Sequence, residues 1–407
     1  MTPPTYPPEA KRLPLPEFVA LLAFMMALVA FSIDAMLPSL PVIARELSPQ
    51  DVNRAQLVLT IFMMGMGLGT FFAGPVSDAI GRKSTLAGGL AIYVVGALLA
   101  VWSKSLEMLL LARFIQGIGA SAGRIVSMAL IRDLYAGSDM AKITSFVMMF
   151  FILIPAIAPT IGGLLALQFG WRGVFGAFVV FGIVLVSWMG LRQPETLPDA
   201  RRRPLIPAQL LAGAREVLSN RDVVLYTLVI ALGFGQMFAL LSSAPQLFAA
   251  FGVTDTFPYW FGFGAILAGS ASAFNARFVM RLGMHRISRA AYLMQMVVSA
   301  GMLALLLLGH IVGPGWFWLI FLWNVSVFFM AGVTFGNLNA MAMQKMGHLA
   351  GMAASVIAAI STIGAVVIAA PVGLMFRGTP MPLVVAALIC STIAWWILGR
   401  TTQPGEE

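Results

Sequence analysis

The chain has 407 residues, of which 60% are hydrophobic and only 10% are charged, and its mean hydropathy is +0.92. A soluble domain carries roughly a quarter charged residues, so this composition excludes a large soluble protein and indicates a polytopic membrane protein in a lipid bilayer. The net charge of +9 comes from short Lys and Arg clusters between apolar runs, a pattern typical of membrane orientation signals and not of nucleic-acid binding. The single cysteine, Cys390, leaves no internal disulfide.

The N-terminus predicts an uncleaved first membrane span. Residues 1–16 are rich in proline and precede an apolar segment whose length of about 20 residues suffices to cross a bilayer. Signal-peptide cores are shorter, roughly 7–15 residues, and no small-residue cleavage site follows here. We therefore interpret residues 1–16 as a cytoplasmic tail.

Twelve segments in chain order are long and apolar enough to cross a bilayer, which takes about 20 helical residues. The stretch 290–344 lacks Asp, Glu, Lys and Arg, and Gly313-Pro314-Gly315 divides it into two spans. The predicted windows are 18–38, 55–77, 84–103, 106–131, 143–171, 173–191, 223–254, 256–276, the two parts of 290–344, 346–376 and 378–399.

The distribution of basic residues predicts the orientation. Of the 25 Lys and Arg, two lie inside a span, five lie on one side and the other 18 lie on the side of the N-terminus. Basic loops face the cytoplasm, so both termini are expected there. The five on the opposite side are Arg45, Arg54, Lys104, Arg172 and Arg377.

The longest polar stretch, 192–222, predicts a division into two halves of six spans each. The expected organisation is a tail at 1–16, a first half at 17–191, a linker at 192–222, a second half at 223–400 and a tail at 401–407. A faint internal repeat agrees with it: Gly81 and Gly283 occupy equivalent loops, and Pro38 and Pro245 are expected to end equivalent spans. Transporters built this way place their substrate site between the repeats.

The loop after the second span reads GPVSDAIGRKS. Its glycines allow a tight turn, and its aspartate can accept hydrogen bonds from the basic residues that follow. The pattern resembles the signature loop of the major facilitator superfamily at every key position: Gly74, Asp78, Gly81, Arg82 and Lys83.

That resemblance implies an all-α fold of twelve transmembrane helices in two six-helix halves around a central cavity. It also implies that the loop latches the two halves on the cytoplasmic side. Arg132 and Asp133, which follow the fourth span, are assigned to the same gating region. The second-half copy keeps Gly283 but has Met280 where an aspartate would stand, so one latch is intact.

The fourth span carries two arginines on one helical face, Arg113 and Arg124, with Gln116 alongside. A guanidinium inside a membrane is costly and normally faces protein or a wet cavity. The sequence R-x-x-Q-G resembles the buried-arginine motif of proton-driven facilitators. The alternatives are that Arg113 pairs with a helix-end carbonyl and that Arg124 extends its side chain to the cytoplasmic surface.

The fifth span contains two prolines that bend the helix and a Gly-Gly pair that permits close helix packing. These residues also serve as a general packing device in membranes. The pattern resembles the antiporter motif of drug-exporting facilitators, which favours export over import. The residues are Pro155, Pro159, Gly162 and Gly163.

Asp34 is the only carboxylate predicted within a span. At 1.5 Å per residue it lies about 25 Å from the cytoplasmic start near Glu17, a depth similar to that of Arg113. An acid and a base at one depth can pair, and burial makes the proton affinity of an acid sensitive to its surroundings. The alternative is an interfacial aspartate that reaches water, although a carboxylate at a helix C-terminus opposes the helix dipole.

The stretch SIDAMLPSLP (residues 32–41), together with RDLY, PETLP, NARFV and HLAG, resembles the bicyclomycin/chloramphenicol resistance (Bcr/CflA) branch of drug:proton antiporters. This resemblance implies a transporter of the bacterial cytoplasmic (inner) membrane that exports small, mainly apolar drugs in exchange for protons by alternating access. Our hypothesis is that Asp34 and Arg113 couple the proton to this transport. The expected cavity is aromatic, rich in methionine and apolar. Its expected lining is Phe62, Gln116, Arg124, Met148, Phe234, Gln236, Met237 and Asn339, although each of these residues is at least as compatible with plain helix packing.

Two other functions remain open. A metabolite or organic-anion carrier of the same fold would use Arg113 and Arg124 to hold its substrate. A membrane-embedded enzyme or channel is disfavoured, because the spans contain no paired carboxylates, histidine cluster or metal-ligand spacing. We therefore expect no enzyme activity, no metal and no cofactor, and a monomer, since one chain holds both halves.

Overall fold

The computed structural model describes residues 13–401 except 203, 312, 347 and 348, and it describes no side chains for residues 138, 141, 145, 148–152 and 209. The predicted terminal tails lie largely outside the described residues. The same holds for His348 of the HLAG motif and for the side chain of Met148.

The described chain is helical, in agreement with the apolar runs of the sequence. Its α-helices are α1 Leu15–Asp34, α2 Leu40–Leu47, α3 Leu57–Ile80, α4 Arg82–Val101, α5 Leu106–Leu134, α6 Gly137–Arg192, α7 Pro207–Ser219, α8 Arg221–Ala250, α9 Phe257–Leu282, α10 Met284–Leu307, α11 Phe317–Gln344, α12 Ala350–Leu374 and α13 Met381–Leu398.

Ten helical segments in the described part of the chain are long and apolar enough to cross a membrane. Two further crossings complete the predicted twelve. The 56-residue helix α6 breaks at Gly170, whose φ of 69° is left-handed, so it consists of two arms. Helix α9, with 26 residues, is the other; its Gly, Ser, Asn and Arg residues lower its hydropathy. The all-α membrane fold is thus confirmed.

The linker contains helix α7, which packs Ala214 and Val217 into the core of the second half. One local expectation differs from the structure. Pro245 does not end its span, since α8 continues through it to Ala250. Pro38, in contrast, follows the end of α1 in a short 3₁₀ turn.

Gly81 and Gly283 begin α4 and α10 with nearly the same backbone conformation. Their φ/ψ angles are 97°/159° and 80°/151°. An L-amino acid with a side chain rarely adopts these angles, so each position requires glycine. The equivalence agrees with an internal repeat of the two halves.

The two halves, defined as residues 13–192 and 221–401, contact each other through small residues. A Cβ at Gly74 of α3 would lie 2.9 Å from Oγ of Ser355 on α12, and one at Gly262 of α9 would lie 2.5 Å from the carbonyl oxygen of Ala156 on α6. Such close approach of helix backbones is how membrane helices associate without a hydrophobic driving force. Helices α3, α12, α6 and α9 therefore form the seam between the halves.

Candidate functional site

Asp34 is the last residue of α1 and lies inside the protein. It is 4% exposed and is the only buried Asp or Glu among the described residues. Asp34 belongs to the helical segment Leu15–Leu47, which is long and apolar enough to cross a membrane. No hydrogen bond or ion pair of its carboxylate exists within the described part of the chain. The interfacial alternative for Asp34 therefore does not fit the structure.

Arg113 on α5 is fully buried and donates hydrogen bonds from three nitrogens. Its Nε donates to the carbonyl oxygen of Val58 at 3.1 Å, and its Nη2 donates to the carbonyl oxygen of Ser32 at 3.0 Å. Its Nη1 donates to Oε1 of Gln116 at 2.6 Å. One guanidinium thus joins α1, α3 and α5 through acceptors that carry no net charge.

Aromatic rings surround this guanidinium. The ring centroid of Phe62 lies 4.2 Å from Cζ of Arg113, and that of Phe175 lies 5.7 Å away. A cation over an aromatic face gains electrostatic stabilisation, which increases where water is excluded. The residues Phe62 and Gln116 therefore hold Arg113 and do not line the cavity described below, which corrects their assignment.

Ser32 and Tyr93 extend the cluster, and the sequence analysis did not identify either of them. Oγ of Ser32 lies 2.7 Å from the carbonyl oxygen of Leu28 and 2.6 Å from the hydroxyl of Tyr93. A serine hydroxyl has one proton, so with Ser32 donating to Leu28, Tyr93 donates to Ser32. Tyr93 could have been noticed in the sequence, because it carries the only polar side-chain group in the part of α4 that follows Thr85.

The expected ion pair between Asp34 and Arg113 is absent from the described contacts. Arg113 does contact α1 at a residue close to Asp34 in the chain. However, Nη2 of Arg113 binds the backbone carbonyl of Ser32, two residues before Asp34, and not the carboxylate. The carbonyl alternative for Arg113 is the one that fits the structure.

A cavity of about 810 Å³ lies between the halves, bordered by the linker and by the ends of α3, α5 and α12 that face it. We call this side of the protein the linker end. Three residues of the predicted lining form part of its wall: Arg124, Phe234 and Asn339. Its methionines are Met26, Met128, Met140, Met343 and Met352, and its ionisable residues are Asp78, Arg82, Arg124 and Arg132.

Two further residues of the predicted lining, Gln236 and Met237, are not part of this wall. Gln236 is buried in the second half, where Oγ of Ser391 donates to its Oε1 at 3.2 Å, and Met237 packs against the main hydrophobic core. Helical periodicity did not reveal which neighbour each residue faces. The wall is rich in methionine as expected, but Phe234 is the only aromatic residue among its described members.

Arg82 is the centre of the predicted gating loop. Its Nη1 donates to Oγ of Ser77 at 2.8 Å and to Asp78, and its Nε donates to Oδ2 of Asp133 at 2.9 Å. The Arg82 side chain is buried, whereas Asp133 is half-buried and the carboxylate of Asp78 is exposed. All of these contacts lie within the first half.

Glu195 of the linker completes this loop and was not singled out in the sequence. Its Oε1 accepts from the backbone N–H of Arg82 at 2.9 Å, and its Oε2 accepts from the backbone N–H of Lys83 at 3.0 Å. These are free donors at the start of α4, where the helix dipole also favours a negative charge. Gly81 leaves the space that the carboxylate occupies. In the described contacts the loop therefore fastens the linker to the first half.

The proline and glycine residues of α6 lie at the seam. Pro155 and Pro159 are inside the helix. A Cβ on Gly162 would collide with the carbonyl oxygen of Ala35, the residue after Asp34, and one on Gly163 would lie 3.7 Å from Cγ of Pro258 on α9. The Gly-Gly pair thus lets α6 touch both the end of α1 and the second half.

The end opposite the linker is closed by polar contacts between the halves. Nε2 of Gln56 donates to Oε1 of Gln246 at 2.8 Å, and Oγ of Ser243 donates to Oε1 of Gln56 at 2.7 Å. Nδ2 of Asn53 donates to the carbonyl oxygen of Leu374 at 3.2 Å and to that of Phe376. The conformation is therefore closed at this end, with its cavity at the linker end.

Comparisons with known proteins agree with this architecture. The family model of the Major Facilitator Superfamily matches residues 22–370. A chloramphenicol resistance protein of Pseudomonas aeruginosa is 30% identical, over 95% of this chain and 90% of that protein. A bicyclomycin resistance protein homolog of Haemophilus influenzae is 29% identical, over 94% of this chain and 96% of that protein.

The fold also resembles a solved sugar transporter. A partially occluded, inward-open xylose transporter of E. coli superposes with a TM-score of 0.75 at 12% identity, covering 97% of this chain and 99% of that one. This likeness concerns the fold alone. Together with the family match, it identifies a multi-pass membrane transporter of small molecules and not an enzyme. The chain belongs to the major facilitator superfamily, in the branch of the bicyclomycin and chloramphenicol resistance transporters.

Proposed function

We propose that this transporter exports small, mainly apolar drugs of the chloramphenicol and bicyclomycin type in exchange for protons. The observation that carries the proposal is the placement of Asp34: a single buried carboxylate without a counter-charge among the described residues, on a helix whose Ser32 carbonyl accepts a hydrogen bond from the buried Arg113 guanidinium. The names of the relatives support the substrate class. Both termini and the linker end are taken to face the cytoplasm, because 18 of the 25 basic residues lie on that side.

In this proposal Asp34 carries the coupled proton. An ionised aspartate inside a bilayer requires a cationic partner or water, and Arg113 of α5, which already contacts α1 at Ser32, is the proposed partner. When Asp34 is protonated, it carries no charge that competes for the Arg113 guanidinium. Arg113 then donates to the carbonyl oxygens of Ser32 and Val58, which are its contacts in the present conformation. Ionisation makes the carboxylate a competitor for those guanidinium protons. The end of α1 and α5 thereby have two alternative arrangements, which a two-state transporter requires.

Drug and proton are coupled through the opening of the two ends. Drug enters the methionine-rich cavity from the linker end, because flexible thioether side chains adapt to several ligand shapes. Reorientation breaks the polar contacts of Gln56 and Asn53 and opens the opposite end. A drug that favours one state and a proton that favours the other then disfavour each other's binding, as thermodynamic linkage demands. The transporter acts as a monomer, because each chain contains the whole cavity.

The proposal is tested with purified protein in sealed vesicles that contain a pH-sensitive dye. With an imposed pH gradient, addition of chloramphenicol should release protons down the gradient at a rate that saturates with drug concentration. Accumulation of radiolabelled chloramphenicol should in turn depend on the gradient. Protein-free vesicles give the background. Drug movement that ignores the pH gradient would contradict the proton coupling.

A further inference from the structure

We infer that Arg124 is a binding subsite for an acidic group, so that, besides the neutral drugs proposed above, the cavity takes anionic amphiphiles and prefers them over cationic ones. This inference rests on the proposed export function and concerns one binding subsite of the cavity.

The Arg124 side chain is unpartnered and forms part of the cavity wall. Its Nε and Nη2 are buried atoms without a hydrogen-bond partner in the described structure, and the residue lines the cavity. Arg113 offers the contrast on the same helix, because its nitrogens donate to three neighbours. Eleven residues separate the two along α5, about 16 Å at 1.5 Å per residue. Of the two guanidinium groups on this helical face, that of Arg113 is bound by protein acceptors, whereas that of Arg124 is available to a ligand.

The charges around the cavity leave Arg124 without compensation. Asp78 is the only acidic residue in the described part of the wall, and it accepts a hydrogen bond from Arg82. Arg82 itself is further held by Asp133. The remaining ionisable residue of this wall is Arg132, which adds a further positive charge. The field in the cavity is thus positive and attracts anions.

The chemistry of the remaining wall defines the rest of the ligand. Apart from the arginines, the wall consists mainly of methionines and small or aliphatic residues, with hydroxyl and amide groups of Ser355, Ser361, Thr362 and Asn339. A guanidinium offers parallel donors that match both oxygens of a carboxylate. The fitting ligand has an apolar body and one carboxylate, sulfonate or phenolate group.

The test uses two dyes with the same xanthene core and opposite charge, anionic fluorescein and cationic rhodamine 6G. Their binding to the full-length protein in neutral detergent is measured by fluorescence anisotropy at neutral pH. The variants are Arg124→Gln, Arg124→Lys and Arg132→Gln. Arg132→Gln is the matched control, because it removes the same charge from the same cavity two helical turns away. Melting temperature and gel-filtration profile confirm that each variant is folded.

The wild type should bind fluorescein more tightly than rhodamine 6G. Arg124→Gln should lower the affinity ratio of fluorescein to rhodamine 6G by at least about tenfold, since a hydrogen bond to a charged group contributes about 1.5–3 kcal/mol. Arg124→Lys should restore part of the ratio, and Arg132→Gln should change it less than Arg124→Gln does.

Equal affinities of the wild type for the two dyes, or equal effects of Arg124→Gln and Arg132→Gln, would overturn the inference. Failure of the export proposal is recognisable separately. In that case the dyes bind with the expected selectivity, while chloramphenicol movement in vesicles does not respond to a pH gradient.

Discussion

Nη2 of Arg113 lies 3.0 Å from the carbonyl oxygen of Ser32, so the buried guanidinium holds the backbone of α1 one half-turn before Asp34. The chain breaks from its helix immediately after Asp34 and continues as a 3₁₀ turn. An acid at such a break can change its surroundings without unwinding a helix. The proposed coupling between protonation and helix movement therefore centres on the contact between α5 and the end of α1.

Replacing Arg113 by lysine should uncouple transport although the positive charge remains. A lysine ammonium is a compact point charge and cannot reproduce the planar fork that reaches acceptors on three helices. We expect proton flux driven by chloramphenicol to fall by at least about tenfold, because more than one charge-assisted hydrogen bond is lost. Vesicle flux measurements test this, with Arg54→Lys at an exposed ion pair as the control. A chloramphenicol-driven proton flux at the wild-type rate in Arg113→Lys would contradict the role of the planar guanidinium.

Gly162 should not tolerate a larger side chain, because the carbonyl oxygen of Ala35 occupies the space of its missing Cβ. We expect Gly162→Val to reduce the yield of monodisperse protein and to lower the melting temperature in detergent, since overpacking costs about 1–3 kcal/mol. Gly176 lies in the same helix, and a Cβ added there would meet no described atom within 4 Å. Gly176→Val is therefore the control, and equal effects of the two substitutions would refute the packing argument.

Glu195→Gln should loosen the linker. The substitution keeps the shape of the side chain but removes the negative charge from the start of α4, which contributes roughly 0.3–1 kcal/mol in such positions. Trypsin should then cut after Arg201 or Arg202 up to about fivefold faster, which corresponds to about 1 kcal/mol. Asp199→Asn changes an exposed linker pair with Arg202 and is the control. An unchanged cleavage rate in Glu195→Gln would show that the contact does not hold the linker.

Gln56→Ala should shift the protein toward the state that is open opposite the linker. The substitution removes the hydrogen bonds to Gln246 and Ser243, each of which contributes about 0.5–1.5 kcal/mol. A reporter cysteine at Ala244, which is buried in the present conformation, should react faster with a maleimide in a background without Cys390. Arg54→Ala alters the same end without crossing between the halves and should leave the reporter protected. Equal labelling of the two variants would place the closure elsewhere.

The sequence predicted the number of spans because apolar length is a property of each segment by itself. It also predicted the turn at Gly81, since a left-handed backbone angle restricts that position to glycine whatever the neighbours are. The residues Arg82 and Lys83 were assigned to this loop from the signature pattern that directly surrounds them in the chain. Each of these features depends on residues close together in the chain.

Features that depend on distant residues were harder to predict. Depth along a helix placed Asp34 and Arg113 at the same level but could not give the rotation of α1, which turns a carbonyl and not the carboxylate toward the guanidinium. Gln236 was expected in the cavity, yet it is buried inside the second half, where its Oε1 accepts a hydrogen bond from Ser391. Glu195 stood in the PETLP motif, but its role could not be predicted, since it binds backbone donors of α4 that are distant in the sequence.

The most direct test of the account compares the wild type with Asp34→Asn in sealed vesicles, with the proton flux driven by chloramphenicol as the readout. Asparagine has nearly the same shape but cannot take up and release the proton. Asp255→Asn, in an exposed loop, controls for the removal of a carboxylate. We predict that Asp34→Asn still binds chloramphenicol and loses the drug-driven proton flux, while Asp255→Asn keeps it. Proton flux at the wild-type rate in Asp34→Asn would contradict the central claim that this buried acid couples the proton to the drug.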